Sequence, residues 1–269
     1  MPRTAPSSRR SKPLNARRVF ITGASSGIGA ALARHYAAQG ATLGLLARRG
    51  EALAALSAVL PAPSFCYAAD VADAKAVATA AEDFLAQAGL PDIVIANAGV
   101  SVGTLTQEAE DLPVFRRVFE TNVLGMVHTF QPFVAALVAA GRGRLVGVAS
   151  VAGIRGLPGA GAYSASKAAA IAYLEALRVE LAGTGVKVVT LAPGYIATPM
   201  TANNPYPMPF LMPVDKAAGS MARAIERGAR FAVMPWPMAF VAAALKCLPR
   251  PLFDRLAGRF GSKPRGTLP

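Results

Sequence analysis

Tyr163 and Lys167 stand four residues apart in the stretch Tyr163-Ser164-Ala165-Ser166-Lys167, where apolar and small residues recur at helical spacing. On a helix, side chains at i and i+4 share one face. A free phenol titrates near ~10 and is a poor acid or base at neutral pH. A neighbouring ammonium favours the phenolate, and a pair tuned in this way can pass the proton that accompanies hydride transfer. Taken alone, Tyr-x-x-x-Lys is more often an incidental surface pair. Ser150 adds a hydroxyl at the end of an apolar run, and a glycine-rich loop over 153–161 leads from it to Tyr163. That hydroxyl could hydrogen-bond a substrate oxygen. Asn122 falls inside a long stretch of helical spacing at 114–140, although Asn is an indifferent helix former. Glu120-Thr121-Asn122 is then either an ordinary polar patch or a place where Asn holds a water or distorts the helix.

A second cluster is suited to phosphate. Gly23-Ala24-Ser25-Ser26-Gly27-Ile28-Gly29 follows the first apolar run directly. Glycines permit a tight turn and close backbone approach, and the next helix offers free N–H groups and a partial positive charge. The spacing Gly-x-x-x-Gly-x-Gly differs from the commoner Gly-x-Gly-x-x-Gly. Three glycines could simply shape a loop, but their place after a first strand favours a dinucleotide.

These residues need a scaffold, and the chain alternates two kinds of segment. Short continuous apolar runs at 19–22, 41–47, 65–68, 92–96, 144–149, 186–191 and 231–234 read as buried strands. Between them, helical spacing covers 28–39, 51–60, 73–88, 114–140, 163–182 and 216–227, with Asp73 as a helix N-cap. This alternation predicts an α/β fold: a doubly wound, Rossmann-type parallel sheet of about seven strands in a three-layer α/β/α arrangement. Ligands then bind beyond the carboxyl ends of the strands, where Ser150 lies. Residues 18–269 read as one domain with no internal repeat, preceded by a basic tail over 1–17 expected to be disordered.

The formal net charge of +13 sits mostly at the ends. Residues 1–18 hold six basic residues and no acid, and from Lys246 onward six more face only Asp254. These ends read as solubilising termini, and the body offers no basic surface for nucleic acid. Cys66 and Cys247 have no zinc-like spacing, no metal is expected, and Cys66 reads as a small buried core residue. No secretory signal is visible, and the longest apolar region, 231–248, is too short to cross a bilayer. The expected setting is cytoplasmic.

Thr22-Gly23-Ala24-Ser25-Ser26-Gly27-Ile28-Gly29, Asp70-Val71, Asn97-Ala98-Gly99, Asn122, Ser150, Tyr163-Ser164-Ala165-Ser166-Lys167 and Pro193-Gly194 together resemble the short-chain dehydrogenase/reductase family, in order and spacing, over about residues 18–234. The resemblance implies an oxidoreductase that moves a hydride between a nicotinamide dinucleotide and an alcohol/carbonyl pair. It implies that Tyr163 is the acid in reduction. Lys167 would lower the Tyr163 pKa and hold the nicotinamide ribose, Ser150 would polarise the carbonyl, and Asn122 would position a water linking Lys167 to solvent. Gly23, Ser25, Ser26, Gly27, Ile28 and Gly29 would hold the pyrophosphate. Asp70 and Val71 would contact the adenine, and Asn97, Ala98 and Gly99 would support the cofactor behind the nicotinamide. Pro193, Gly194, Ile196 and Thr198 would close the nicotinamide end, with Thr198 on the carboxamide. The complete Asn122/Ser150/Tyr163/Lys167 set favours an enzyme over a non-catalytic dinucleotide-binding regulator or a membrane-associated scaffold.

Cofactor choice is read after the second strand, where NAD sites carry an acid for the ribose 2′-hydroxyl and NADP sites an Arg for the 2′-phosphate. Here the segment is Ala47-Arg48-Arg49-Gly50-Glu51. It favours NADP(H) over NAD(H), with Arg48 the main candidate and Ser25 and Arg49 as helpers. Residues 199–213 hold five prolines and Met200, Tyr206, Met208, Phe210, Leu211 and Met212. This segment reads either as an adaptable cover for an apolar carbonyl substrate or as a loop packed on the core. Residues 237–260 mix apolar and basic side chains, and Pro249 and Pro251 should split them into two helical pieces. Three roles are open for this extension: contact with an anionic membrane surface, packing at the substrate site, or a second subunit. The apolar helices at 114–140 and 163–182 are, by the resemblance, the surfaces of a homodimer, with a tetramer as the alternative.

Overall fold

The computed structural model describes residues 17–202, 204, 207–259 and 262–266. The basic tail over 1–16, Tyr206 and Phe260 lie outside the described residues. In chain order the elements are β1 (Arg18–Thr22), α1 (Gly27–Ala37), β2 (Thr42–Ala47), α2 (Gly50–Ala58), β3 (Ser64–Ala68), α3 (Ala74–Ala88), β4 (Ile93–Ala96), α4 (Asp111–Phe119), α5 (Gly125–Ala139), β5 (Gly143–Val148), α6 (Gly161–Glu180), β6 (Val186–Pro193), β7 (Ile196–Ala197), β8 (Met212–Pro213), α7 (Val214–Arg227), β9 (Phe231–Met234), α8 (Pro237–Cys247) and α9 (Arg250–Ala257).

The apolar runs form one seven-stranded sheet in the order β3-β2-β1-β4-β5-β6-β9, parallel throughout. Such a sheet must be covered on both faces, because its central strands β1, β2 and β4 bury apolar side chains on both sides. One face packs Leu32, Tyr36, Leu53, Met221 and Ile225 from α1, α2 and α7. The other packs Val77, Phe84, Phe130, Phe133 and Leu174 from α3, α5 and α6. Phe20 of β1 reaches into this second layer, with ring centres 5.5 Å from Phe84 and 5.1 Å from Phe133. Each such ring contributes about 1.5–3 kcal/mol through burial. Winding reverses between β1 and β4, and a crevice opens there at the strands' carboxyl ends.

Several expectations are corrected. Cys66 is exposed, because β3 is the edge strand and has a neighbour on one side only. Arg17 is part of the body: its carbonyl accepts from Thr42 N–H, and its side chain pairs with Glu226. The single helix expected over 114–140 is α4 and α5, joined by a π-helical turn at Glu120–Leu124. The longest apolar helical stretch is that one, Asp111–Ala139, and not 231–248. It is long and apolar enough to cross a membrane by length and composition, but Phe130, Phe133 and Leu137 are spent on the core. Asp73 caps α3 as expected, its side chain accepting from Ala76 N–H at 3.0 Å. The extension from 237 does split, into α8 and α9.

Candidate active site

Ser150 follows β5 and caps a short 3₁₀ turn, Val151–Gly153, its Oγ accepting from Ala152 N–H at 3.1 Å. The loop beyond it returns the chain to the first turn of α6, which carries Tyr163, and Ser150 hydrogen-bonds the Tyr163 phenol. One turn further along α6, Lys167 is only 4% exposed. Its Nζ donates to the Val148 carbonyl at 2.8 Å and lies 5.9 Å from the centre of the Tyr163 ring. The helix and the end of β5 thus bring Ser150, Tyr163 and Lys167 together.

Burial raises the Tyr163 pKa above its ordinary value, and the Ser150 hydrogen bond offsets only part of that rise. The net shift is upward because loss of hydration around the phenol dominates. Burial also lowers Lys167 to about 8.

Asn122 is 1% exposed and sits in the π turn. The wider turn directs it inward, away from the regular helical ladder. Oδ1 accepts from Val100 N–H at 2.8 Å, while Nδ2 donates to the Val100 carbonyl at 3.0 Å and to Ser166 Oγ at 2.9 Å. Gly99 is wedged between these groups: a Cβ there would lie 3.2 Å from Asn122 Oδ1 and 3.4 Å from Lys167 Nζ. Asn122, Gly99 and Lys167 are therefore neighbours, although 23 and 45 residues of sequence separate Gly99 from Asn122 and Asn122 from Lys167.

A cavity of about 770 Å³ runs from this cluster along the strand ends. Gly23, Ser25, Ser26, Gly27 and Ile28 line it, as do Arg48, Arg49, Asp70, Val71, Asn97, Ala98, Gly99, Tyr163, Lys167, Pro193 and Thr198. Gly23 adopts φ +66°, and a Cβ there would stand 2.7 Å from Ala98 Cα. The turn can therefore lie against the end of β4 only as glycine. Asn97 ties the two together, its Nδ2 donating to the carbonyls of Thr22 at 3.0 Å and Gly23 at 3.2 Å. Partial burial works against ionisation of Asp70, but the Ala72 N–H and Arg117 outweigh it and hold its carboxyl below the usual range.

Three expected cofactor residues support the cleft without lining it. Gly29 packs against the Gly23 carbonyl, Gly194 against Met238 of α8, and Ile196 against Met212 and Ala217. Met212 is accordingly core, in the small β7–β8 pair, and not part of an open cover. The inner face of α8 packs beside the site: Met238 and Ala242 cluster with Val151. The cavity also takes in Val100, Ser101 and Thr121, which sequence reasoning missed, and Met200 of the segment read as a possible substrate cover.

The cleft fits a dinucleotide. Ser26 leaves the N-terminus of α1 without a side-chain cap, so its N–H groups face the cavity wall. Thr121 Oγ1 is buried with no hydrogen-bond partner among the described residues, on the wall of that cavity. At the β2 end, Arg49 Nη2 donates to Ser25 Oγ at 3.1 Å and to Ser26 Oγ at 2.9 Å. Arg48 acts electrostatically on Asp70.

The short chain dehydrogenase family model matches residues 17–207. An uncharacterized oxidoreductase of Myxococcus xanthus is 40% identical over 246 residues, spanning 90% of this chain and 97% of that protein. A 2-dehydro-3-deoxy-L-rhamnonate dehydrogenase (NAD(+)) of Sphingomonas sp. is 39% identical over 181 residues, 67% of this chain and 72% of the relative. A short-chain dehydrogenase from Sphingobium yanoikuyae, solved in complex with NADPH, matches with a TM-score of 0.75 at 28% identity, covering 88% of this chain and 95% of that one. The family match takes in every strand end that borders the cavity, from β1 to β6, and the chain belongs to the short-chain dehydrogenase family of oxidoreductases, which bind a nicotinamide dinucleotide.

Proposed function

We propose that this protein is an NADP(H)-dependent reductase of a ketone or aldehyde, with Tyr163 as the acid. The observation that carries the reading is the cluster at the end of the cavity: Ser150 bonded to the Tyr163 phenol, with the buried Lys167 ammonium beside it. The nicotinamide, when bound, supplies the hydride. Ser150 Oγ holds and polarises the carbonyl oxygen. Tyr163 gives its O–H proton to that oxygen as the alkoxide forms, and its raised pKa keeps that proton in place at neutral pH. Lys167 stabilises the phenolate left behind. Asn122 Oδ1 spends one acceptor position on Val100 and keeps a second, which would hold a water between Lys167 and solvent.

NADP(H) is preferred over NAD(H) on the strength of Arg48 and Arg49. Arg49 is held by Ser25 and Ser26 at the cavity edge, where it can meet a 2′-phosphate with its fork already oriented. This shifts the main anchoring role from Arg48 to Arg49. Met200 on the cavity wall, with Phe210 and Leu211 exposed in the same loop, supports a substrate with an apolar body.

The exposed Leu112, Leu124 and Val179, on or beside α4, α5 and α6, support pairing of two copies across these helices. Sedimentation of wild type at about twice the monomer mass would bear that out, and a monomer at micromolar concentration would refute it.

The test of the reaction is NADPH oxidation against ketones and aldehydes graded from small polar to large apolar. Turnover that Tyr163→Phe abolishes is the expected result. Turnover that survives in Tyr163→Phe would overturn the assignment of the acid.

A further inference from the structure

The described C-terminal residues 262–266 form a strap packed on the loops around Gly103 and Gly159, beside the site. Lys263 N–H donates to the Pro158 carbonyl at 3.0 Å, and Gly103 and Arg265 form a parallel bridge. The strap fits so closely that a Cβ at Gly103 would stand 2.0 Å from the Pro264 carbonyl oxygen, and one at Gly159 would stand 2.3 Å from that of Lys263. Arg265 fixes the far end: it meets Asp111 and Glu108 at 3.0 Å each and Glu110 at 3.7 Å.

This anchoring divides the charges. Arg265 takes up the three nearby carboxylates, and Lys263 forms no ion pair with any described acid. The Lys263 ammonium is directed toward the reaction centre instead. Its Nζ donates to Ser101 Oγ at 2.5 Å and lies 5.5 Å from the centre of the Tyr163 ring. Ser101 and Tyr163 both line the cavity, whose only described acid, Asp70, is at the adenine end. An ammonium has three donors, and Ser101 occupies one. A half-buried cation without an acid carries a desolvation cost that an anion would offset.

The geometry points to Lys263 as a specificity-determining residue: it binds an anionic group, a carboxylate, on the substrate, so that the preferred substrates are oxo acids with an apolar body. This rests on the carbonyl-reductase reading and names the substrate class for the same site.

The experiment compares phenylglyoxylate and 4-oxopentanoate, each against its own methyl ester, in NADPH oxidation and in calorimetric binding. Wild type, Lys263→Met and Lys263→Arg are run together. Each acid should exceed its ester by at least about tenfold in kcat/KM or in affinity, the scale of one charge-assisted hydrogen bond. That ratio should collapse toward one in Lys263→Met and recover in Lys263→Arg. Equal handling of acid and ester by wild type, or a preference that persists in Lys263→Met, overturns the proposal. Acid-selective binding that depends on Lys263 but comes with no NADPH oxidation would support the anion site and count against the reductase reading alone.

Discussion

Asn122 and Val100 exchange two hydrogen bonds, Val100 N–H to Oδ1 at 2.8 Å and Nδ2 to the Val100 carbonyl at 3.0 Å. The side chain acts as a short strand partner for the segment after β4, with Gly99 between it and Lys167. Asn122→Ala removes both bonds and the one to Ser166, and it leaves the buried partners short of water. A loss of about 2–4 kcal/mol in unfolding free energy is expected. Denaturant melts check this, together with a fall in kcat larger than the change in KM, since Lys167 is the neighbour that loses its frame. A variant as stable and as fast as wild type would show that the π turn holds itself.

Arg49 bridges to Ser25 and Ser26, so its guanidinium bears on both the glycine turn and the β2 end. Arg49→Ala should lower kcat/KM for NADPH by about 10–100-fold, the scale of a charge-assisted contact to phosphate. NADH, which has no 2′-phosphate, should change by less than about threefold on the same argument. Equal losses with both cofactors would mean that Arg49 supports the turn and does not read the phosphate.

Lys167 titrates at about 8, against an ordinary 10.5, because burial penalises its charge. If the ammonium is the working form, reduction should be level at neutral pH and fall as pH rises through about 8. The sign for stability is opposite. Between about 8 and 10.5 the unfolded chain holds a proton on this lysine that the folded chain has released, so its contribution to stability grows with pH. Lost activity in that window is therefore not unfolding by this group. A pH–kcat/KM profile paired with melts at each pH separates the two, and a profile flat through pH 9 would argue against a charged Lys167.

Much of this was legible in the sequence because it depends on local pattern. Continuous apolar runs gave seven strands, since a doubly covered sheet admits nothing else. Asp73 marked a helix start by its short acceptor side chain. Asn122 stood out as a poor helix former where a helix was expected, and the π turn is the result. What was missed depends on distant contacts. Cys66 has the neighbours of a core residue, and only the position of β3 at the sheet edge exposes it. Lys263 and Arg265 look like two charges in a basic tail, and nothing local signals that one reaches Ser101 and the other Asp111 across more than 150 residues. The order of pKa values at Tyr163 was also hidden, because burial cannot be weighed before the packing is known.

The outer face of α8 and α9 leads to the remaining prediction. Trp236 and Phe240 are one turn apart, 73% and 70% exposed, with ring centres 5.9 Å apart, while Met238 and Ala242 hold the other face to the body. Leu252 and Leu256 are exposed one turn apart on α9, and Lys246, Arg250, Arg255 and Arg259 are interspersed. One of the three roles open to the extension, contact with an anionic bilayer surface, makes a definite prediction for this face. Aromatic rings at such an interface contribute by burial, about 3–6 kcal/mol if both rings are fully covered, and basic residues add an attraction that salt screens. Flotation with vesicles of phosphatidylcholine and phosphatidylserine should carry wild type upward. Trp236→Ser/Phe240→Ser should remain at the bottom, and high salt should weaken wild-type flotation. Because both side chains are exposed on the face opposite the packing of Met238 on the body, NADPH oxidation by the double variant in solution should match wild type. Recovery of wild type at the bottom of that gradient would remove the bilayer as the occupant of this face.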